Sequence, residues 1–347
     1  MAFLEYEGGF MKRIIIIILS ICILFCTSCL RTETPSYLSI AVTYYNDNAT
    51  PENGMTTAVL KSSLEDPIIS VGSVPYTSQY PLAVYDASEQ TIYYSAVDES
   101  GSNDQLWKYD LKNRNAKKLT DSFFAINYII PRENDVVVIA AAKKDRKCTP
   151  YLYDKNNQTL SKLEFDIDFN CSLCTYQATS GRLILSGTSY KQELAIREAW
   201  NSRKNQDDPY YPPDTYIYEL SSEQPQLLVK LDRYLVRHIA IKNDTEIFYT
   251  GLSQKYADLP ETQFLLKTGE LPIEYKLFSD DFPVTIYDEF IFTSDNDIYF
   301  LGAGPDPEEY PQGLYHYIID KDQLELIYDG SDINGYINNF IFLQDKI

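Results

Sequence analysis

A short run of Tyr, Ile and Val, followed by a loop and a hairpin, recurs along this chain and limits what the chain can fold into. The clearest copy reads Thr91-Ile92-Tyr93-Tyr94-Ser95, then Leu106-Trp107-Lys108-Tyr109-Asp110-Leu111, then Lys118-Leu119-Thr120. Aligned on the first run, the copies centre on Ile92, Val136, Leu183, Ile247 and Ile298, so they lie 44, 47, 64 and 51 residues apart. A unit this small cannot bury its own apolar face, so the copies must stack into an array of small sheets.

Each run follows another short apolar strand, at 82–87, 125–130, 174–179, 237–242 and 286–292. Each precedes a hairpin, at 105–120, 150–165, 215–231, 263–278 and 313–328. The five resulting units have the spacing of propeller blades, which run to roughly 40–50 residues. The ends supply one more unit. Residues 336–343 read as a first strand, and 37–45, 56–61 and 66–71 as strands two to four. The expected fold is therefore all-β, a six-bladed β-propeller of four-stranded blades, with the last blade closed by strands from both termini. Such closure removes exposed sheet edges. In its hairpins, the "LWKYDL…KKLT" of the first blade above all, the chain over 36–347 resembles the TolB-like and WD-repeat-like propellers of bacterial lipoproteins.

The start of the chain reads as targeting sequence rather than fold. Met11-Lys12-Arg13 is a basic segment, and Ile14 to Phe25 is an apolar run too short to span a bilayer comfortably. Cys26-Thr27-Ser28-Cys29 then sets small residues before a cysteine. This resembles the bacterial lipoprotein signal, which implies cleavage before Cys29, lipidation of its thiol by a fatty acid such as palmitate, and a tether over 29–35. Residues 1–10 have no role in such a signal, and Met11 is the expected start, with 11–28 as the signal peptide. The expected location is the extracytoplasmic face of the cell membrane, held by the lipid.

Composition excludes several functions. A net charge of -20 argues against nucleic acid, because phosphate binding needs clustered Lys and Arg. Fourteen glycines in 347 residues argue against a glycine-rich phosphate cradle, and no cofactor is expected. Thirty tyrosines suit half-buried pleated surfaces, with a ring to bury and a hydroxyl to leave wet. Three cysteines lie beyond the signal. An oxidising compartment permits one bridge, from Cys148 to Cys171 or to Cys174, and three buried free thiols are the alternative. Cys171-Ser172-Leu173-Cys174 lacks a second pair, so no metal site is assigned to it.

One segment departs from the repeat. Lys191 to Asp214 lengthens the third unit. Gln192 to Trp200 has helical spacing, and Pro209-Tyr210-Tyr211-Pro212-Pro213 stops the helix and stiffens the return. In a propeller the loops between strands two and three share a face, and long loops on a rigid scaffold carry function. Those loops hold Tyr190, Trp200, Tyr210, Tyr211, Tyr256 and Tyr310 among acidic residues. Aromatic rings with polar neighbours suit recognition of a protein or glycan partner.

Catalysis finds little support. There is no Gly-x-Ser-x-Gly elbow, and both histidines, His238 and His316, fall in strands, so no catalytic residue is assigned. Asp98, Asp104, Asp306, Glu308 and Glu309 lack the alternating ligands of a calcium loop. The leading expectation is a membrane-anchored binding or scaffolding module. The alternative is an extracellular propeller hydrolase or lyase acting on a glycan or peptide. A deep central pocket with converging carboxylates and His238 would favour the enzyme, and a narrow channel with an aromatic outer rim would favour the binder.

Overall fold

The computed structural model describes residues 36–45, 51–61, 67–203, 210–220, 224–254, 261–294, 296–330 and 335–344. Within them lie five antiparallel four-stranded meanders of consecutive strands. The first holds β4 (Ala83–Asp86), β5 (Thr91–Val97), β6 (Asp104–Asp110) and β7 (Asn115–Lys118). The second holds β8 (Phe123–Pro131), β9 (Asp135–Ala142), β10 (Asp145–Asp154) and β11 (Thr159–Lys162). The third runs β12 (Phe169–Gln177), β13 (Arg182–Ser189), β14 (Thr215–Leu220) and β15 (Pro225–Leu231), with the helix α1 (Tyr190–Asn201) between β13 and β14. The fourth is β16 (Leu235–Ile241) to β19 (Ile273–Glu274), through β17 (Glu246–Leu252) and β18 (Thr262–Lys267). The fifth is β20 (Thr285–Phe292), β21 (Asp297–Ala303), β22 (Gly313–Ile318) and β23 (Gln323–Asp329). A further sheet takes β24 (Gly335–Gln344) from one end of the chain and β1 (Ser36–Tyr45), β2 (Pro51–Lys61) and β3 (Ile69–Pro75) from the other.

The apolar runs explain which strands lie inside. Ile92, Val136, Leu183, Ile247 and Ile298 each stand one residue into the second strand of their sheet, and all five are buried. Those second strands are buried along nearly their whole length, because both of their faces are covered by neighbouring sheets. Fourth strands such as Asn115–Lys118 and Thr159–Lys162 are mostly exposed and polar. The core therefore lies between the sheets, and one apolar cluster runs continuously through the first three meanders. The architecture is an all-β propeller of four-stranded antiparallel blades.

Several strand positions differ from the sequence reading, such as β2 from Pro51 rather than 56 and β10 from Asp145 rather than 150, and two have a local cause. β12 begins at Phe169 rather than 174, because a bulge between Cys171 and Leu173 lets it continue through a break in the apolar alternation. β3 starts at Ile69, after Pro67, which has no N–H to give a ladder.

A second regularity appears only in three dimensions. The residue four beyond each aligned position is small: Ala96, Ala140, Gly187, Gly251 and Gly302. In four of the five blades it faces the first-strand residue immediately before a bulge, in the pairs Ile126↔Ala140, Cys171↔Gly187, Val236↔Gly251 and Ile286↔Gly302. A Cβ on Gly251 would overlap the Leu235 carbonyl oxygen, and one on Gly187 would overlap that of Asn170. At the three glycines the bulge brings the first strand's backbone too close for a side chain, whereas opposite Ile126 the methyl of Ala140 is accommodated.

Candidate functional site

Three spaces among the described residues are candidates for binding: the axis, a pocket of about 240 Å³ at one end of the first strands beside Asp86, Glu89, Arg132, Glu133 and Tyr176, and the excursion from the third blade. First strands line the axis, through residues such as Ile129, Cys174, Ile239, Ile291 and Ile341. The space left there is about 50 Å³, room for no more than a few waters. Asn127, Tyr128, Thr175, Tyr176 and Asn339 are its polar contributors, and no carboxylate lines it.

The histidines are held elsewhere. His238 Nδ1 meets Thr250 Oγ1 at 2.9 Å, and its Nε2 lies 3.3 Å from the Tyr287 carbonyl oxygen. Thr250 in turn donates to Glu261 Oε2 at 2.8 Å. His238, Thr250 and Arg237 hold the Glu261 carboxyl down at about 2, against a smaller opposing effect of burial. His316 stacks on Tyr299 with centroids 4.6 Å apart, and its Nε2 meets Asp297 Oδ1 at 3.0 Å. Asp98, raised above as a cation ligand, is taken up by Ser100, Asn103 and Lys143.

The loops of the first two blades are tied to each other. Gln79 Nε2 donates to the carbonyls of Ser102 and Phe124, both at 3.2 Å, and the Arg146 guanidinium lies 4.1 Å over the Phe124 ring. The excursion is built differently. Ser189 caps α1 by accepting from the Gln192 N–H, and Glu193 sits in the first turn, where the helix dipole favours an acid. Glu193 also accepts from Asn170 Nδ2 at 3.0 Å, which fixes the helix start on β12. The helix has no buried residue. On the return, Pro212 and Pro213 are buried, and Asp214 N–H donates to Gln192 Oε1 at 3.1 Å. Burial pushes the Asp214 carboxyl up, but Lys230, the Arg233 backbone and Gln192 outweigh it and hold it below its ordinary value.

Between helix and return lies an open cleft of about 480 Å³. Ala195, Ile196, Ala199 and Trp200 line one side, the i, i+1, i+4, i+5 face of α1. Tyr210, Tyr211 and Pro212 line the other. Trp200 and Tyr210 meet edge to face, 5.0 Å apart at 86°. Arg203 stacks on Trp200 at 3.4 Å, and Arg233 lies 5.6 Å over Tyr211.

The structure thus gathers three of the residues expected at a binding site, Trp200, Tyr210 and Tyr211. It does not gather Tyr190, the first helical residue, whose N–H donates to the Asp168 carbonyl outside the cleft lining. Tyr310 belongs to the fifth blade, where its backbone pairs with Asp306 and Gly304 and its ring packs against the local core. Tyr256 and Cys29 lie outside the described residues. Cys148, Cys171 and Cys174 are free thiols here. Arg203 and Arg233 were not singled out from sequence, since nothing in the repeat marks two arginines thirty residues apart as neighbours.

No family model and no curated protein matches the sequence. Solved structures match the fold. A TolB structure from Acinetobacter baumannii matches 84% of this chain and 62% of its own at 11% identity, with a TM-score of 0.51. The fold is a TolB-like β-propeller. A chain of the nidogen/laminin complex matches 90% of this chain and all of its own length, at 9% identity and a TM-score of 0.50. Hydrazine synthase from Kuenenia stuttgartiensis matches 90% of it and 47% of its own chain, at 10% identity and a TM-score of 0.52. Proteins this different in role share the architecture, so function has to be read from the site.

Proposed function

We propose that this chain is a membrane-anchored extracytoplasmic propeller that serves as a binding module and engages a protein or glycan partner through the cleft on its third blade. The observation that carries the reading is the contrast between the axis and the excursion, whose cleft is also about twice the pocket beside Asp86 and Glu133. The axis leaves about 50 Å³, while the excursion opens about 480 Å³, within the range of ligand sites. Trp, Tyr and Arg, which line the cleft, are the residue types that dominate binding energy at interfaces.

The ring itself is read as six blades, the sixth shared by the two ends. Its support is the pairing of β24 with β1 from Ser36↔Gln344 to Tyr44↔Gly335. Anchoring rests on the basic and apolar segments before Cys29. The tether from Cys29 to Pro35 spans at most about 20 Å, so the ring would lie near the membrane. Fatty-acid labelling of the wild type and Cys29→Ser tests this, and label on the mutant contradicts it. The same location permits a bridge between Cys148 and Cys171, on adjacent blades. Mass spectrometry of unreduced, alkylated protein from the envelope checks it, with Cys174 alone alkylated as the expected result.

The binding reading is tested by replacing 190–213 with Asn-Gly between Ser189 and Asp214. β13 and β14 pair up to Thr188↔Thr215, so a short turn joins them. The variant is expected to melt cooperatively near the wild-type temperature and to lose its partner in pull-downs from the envelope. An unchanged pull-down refutes the role of the excursion.

A further inference from the structure

The cleft lining says more about the ligand than that one binds, given the reading above that this cleft is the binding site. The chain carries 50 acidic and 30 basic residues. Most of its buried or half-buried cations are consumed by acids: Lys155 by Asp86 and Glu89, Arg182 by Glu219, Lys242 by Glu246, Lys230 by Asp214 and Asp232. Arg203 and Arg233 form no ion pair among the described residues, and both line the cleft. Arg203 Nη1 donates to the Trp200 carbonyl at 2.8 Å, while its buried Nε has no hydrogen-bond partner among the described residues. A buried guanidinium N–H without an acceptor is costly, and a bound carboxylate removes that cost while matching the planar fork in two parallel hydrogen bonds.

We propose that the occupant is a short acidic peptide segment of a partner protein. Its carboxylates reach Arg203 and Arg233, and an apolar side chain packs on Ala195, Ile196 and Ala199. The apolar stripe on α1 and the cations beside it are the complement of an acidic segment with one apolar anchor. The aromatic geometry disfavours a sugar. Stacking a pyranose needs an open ring face, but Arg203 covers one face of Trp200 at 3.4 Å and Tyr210 stands perpendicular beside it. Arg233 lies beside Tyr211 at 5.6 Å, a looser contact that leaves Tyr211 41% exposed. The charge of the remaining surface repels acidic chains generally, so only a short segment that seats on both arginines is retained.

The test is selection of a displayed library of random dodecapeptides on the whole chain, on Trp200→Ala and on Arg203→Gln/Arg233→Gln, each checked for cooperative melting. The expected result is enrichment of Asp and Glu beside an apolar residue on the wild type. Chosen peptides should bind the double glutamine variant about tenfold or more weakly, with Arg203→Lys/Arg233→Lys in between. Binders that lack acids but are lost on Trp200→Ala would overturn the acidic ligand and leave the cleft as the site. Acidic binders indifferent to Trp200→Ala and to both arginines would overturn the cleft itself. If no peptide is enriched while an oligoglucuronate binds in calorimetry and weakens on Arg233→Gln, the occupant is an acidic glycan and the peptide is refuted.

Discussion

Asn339 of β24 lies across the backbone of Ala83 in β4: its Oδ1 accepts the Ala83 N–H and its Nδ2 donates to the Ala83 carbonyl, both at 3.2 Å. One side chain thus supplies what a neighbouring strand would, between the sheet made from both chain ends and the first meander. Tyr37 of β1 and Ser39 add to the same seam, donating to the Tyr85 carbonyl at 3.1 Å and accepting its N–H at 2.9 Å.

Replacing Asn339 by Ala leaves two backbone groups at that seam without partners. A loss of about 1–3 kcal/mol is expected. Urea unfolding of the two proteins measures it, and an unchanged midpoint would mean the seam contributes nothing.

Gly251→Ala tests the close approach behind the small-residue positions. The new methyl meets the Leu235 backbone, which cannot move as a side chain would, so destabilisation of about 1–3 kcal/mol is expected. Ala96→Gly, where the first strand has no bulge, should lack this backbone clash as its cause and differ only by propensity and lost packing. Differential scanning calorimetry separates the two.

Glu261 gives a pH dependence with a definite sign. Its carboxyl is held at about 2 against an ordinary 4.5. The ionised form is therefore favoured by folding, and its contribution is present above pH 4.5 and lost as pH falls toward 2. The side chain is about a third exposed, so screening limits the effect to about 1 kcal/mol. Urea midpoints of wild type and Glu261→Gln should differ at pH 6 and converge as pH falls below 4. A constant gap across that window contradicts the ion-pair origin.

The parts of this fold that were legible in sequence are those written in continuous apolar runs. Ile92, Val136, Leu183, Ile247 and Ile298 located five second strands because strands covered on both faces need unbroken hydrophobicity. The excursion was legible as an interruption of the period, and Trp200, Tyr210 and Tyr211 came with it. Tyr190 and Tyr310 did not join them, because Tyr190 opens α1 with its N–H on the Asp168 carbonyl and Tyr310 packs against the fifth blade. The start of β12 was missed because a bulge breaks the alternation without breaking the strand. Arg203 and Arg233 were missed because their proximity is made by the β14–β15 hairpin, which brings the residues after β15 back beside the return from α1.

The central claim is that the partner seats on the third-blade cleft and not on the axis or elsewhere on the surface. A photo-crosslinking amino acid at Ala199, an exposed cleft position, and at Leu271, 83% exposed on the fourth blade, tests this in intact cells. The account predicts a discrete adduct from position 199, lost when Arg203 and Arg233 are both Gln, and none from 271. Adducts from 271 with none from 199 would contradict it.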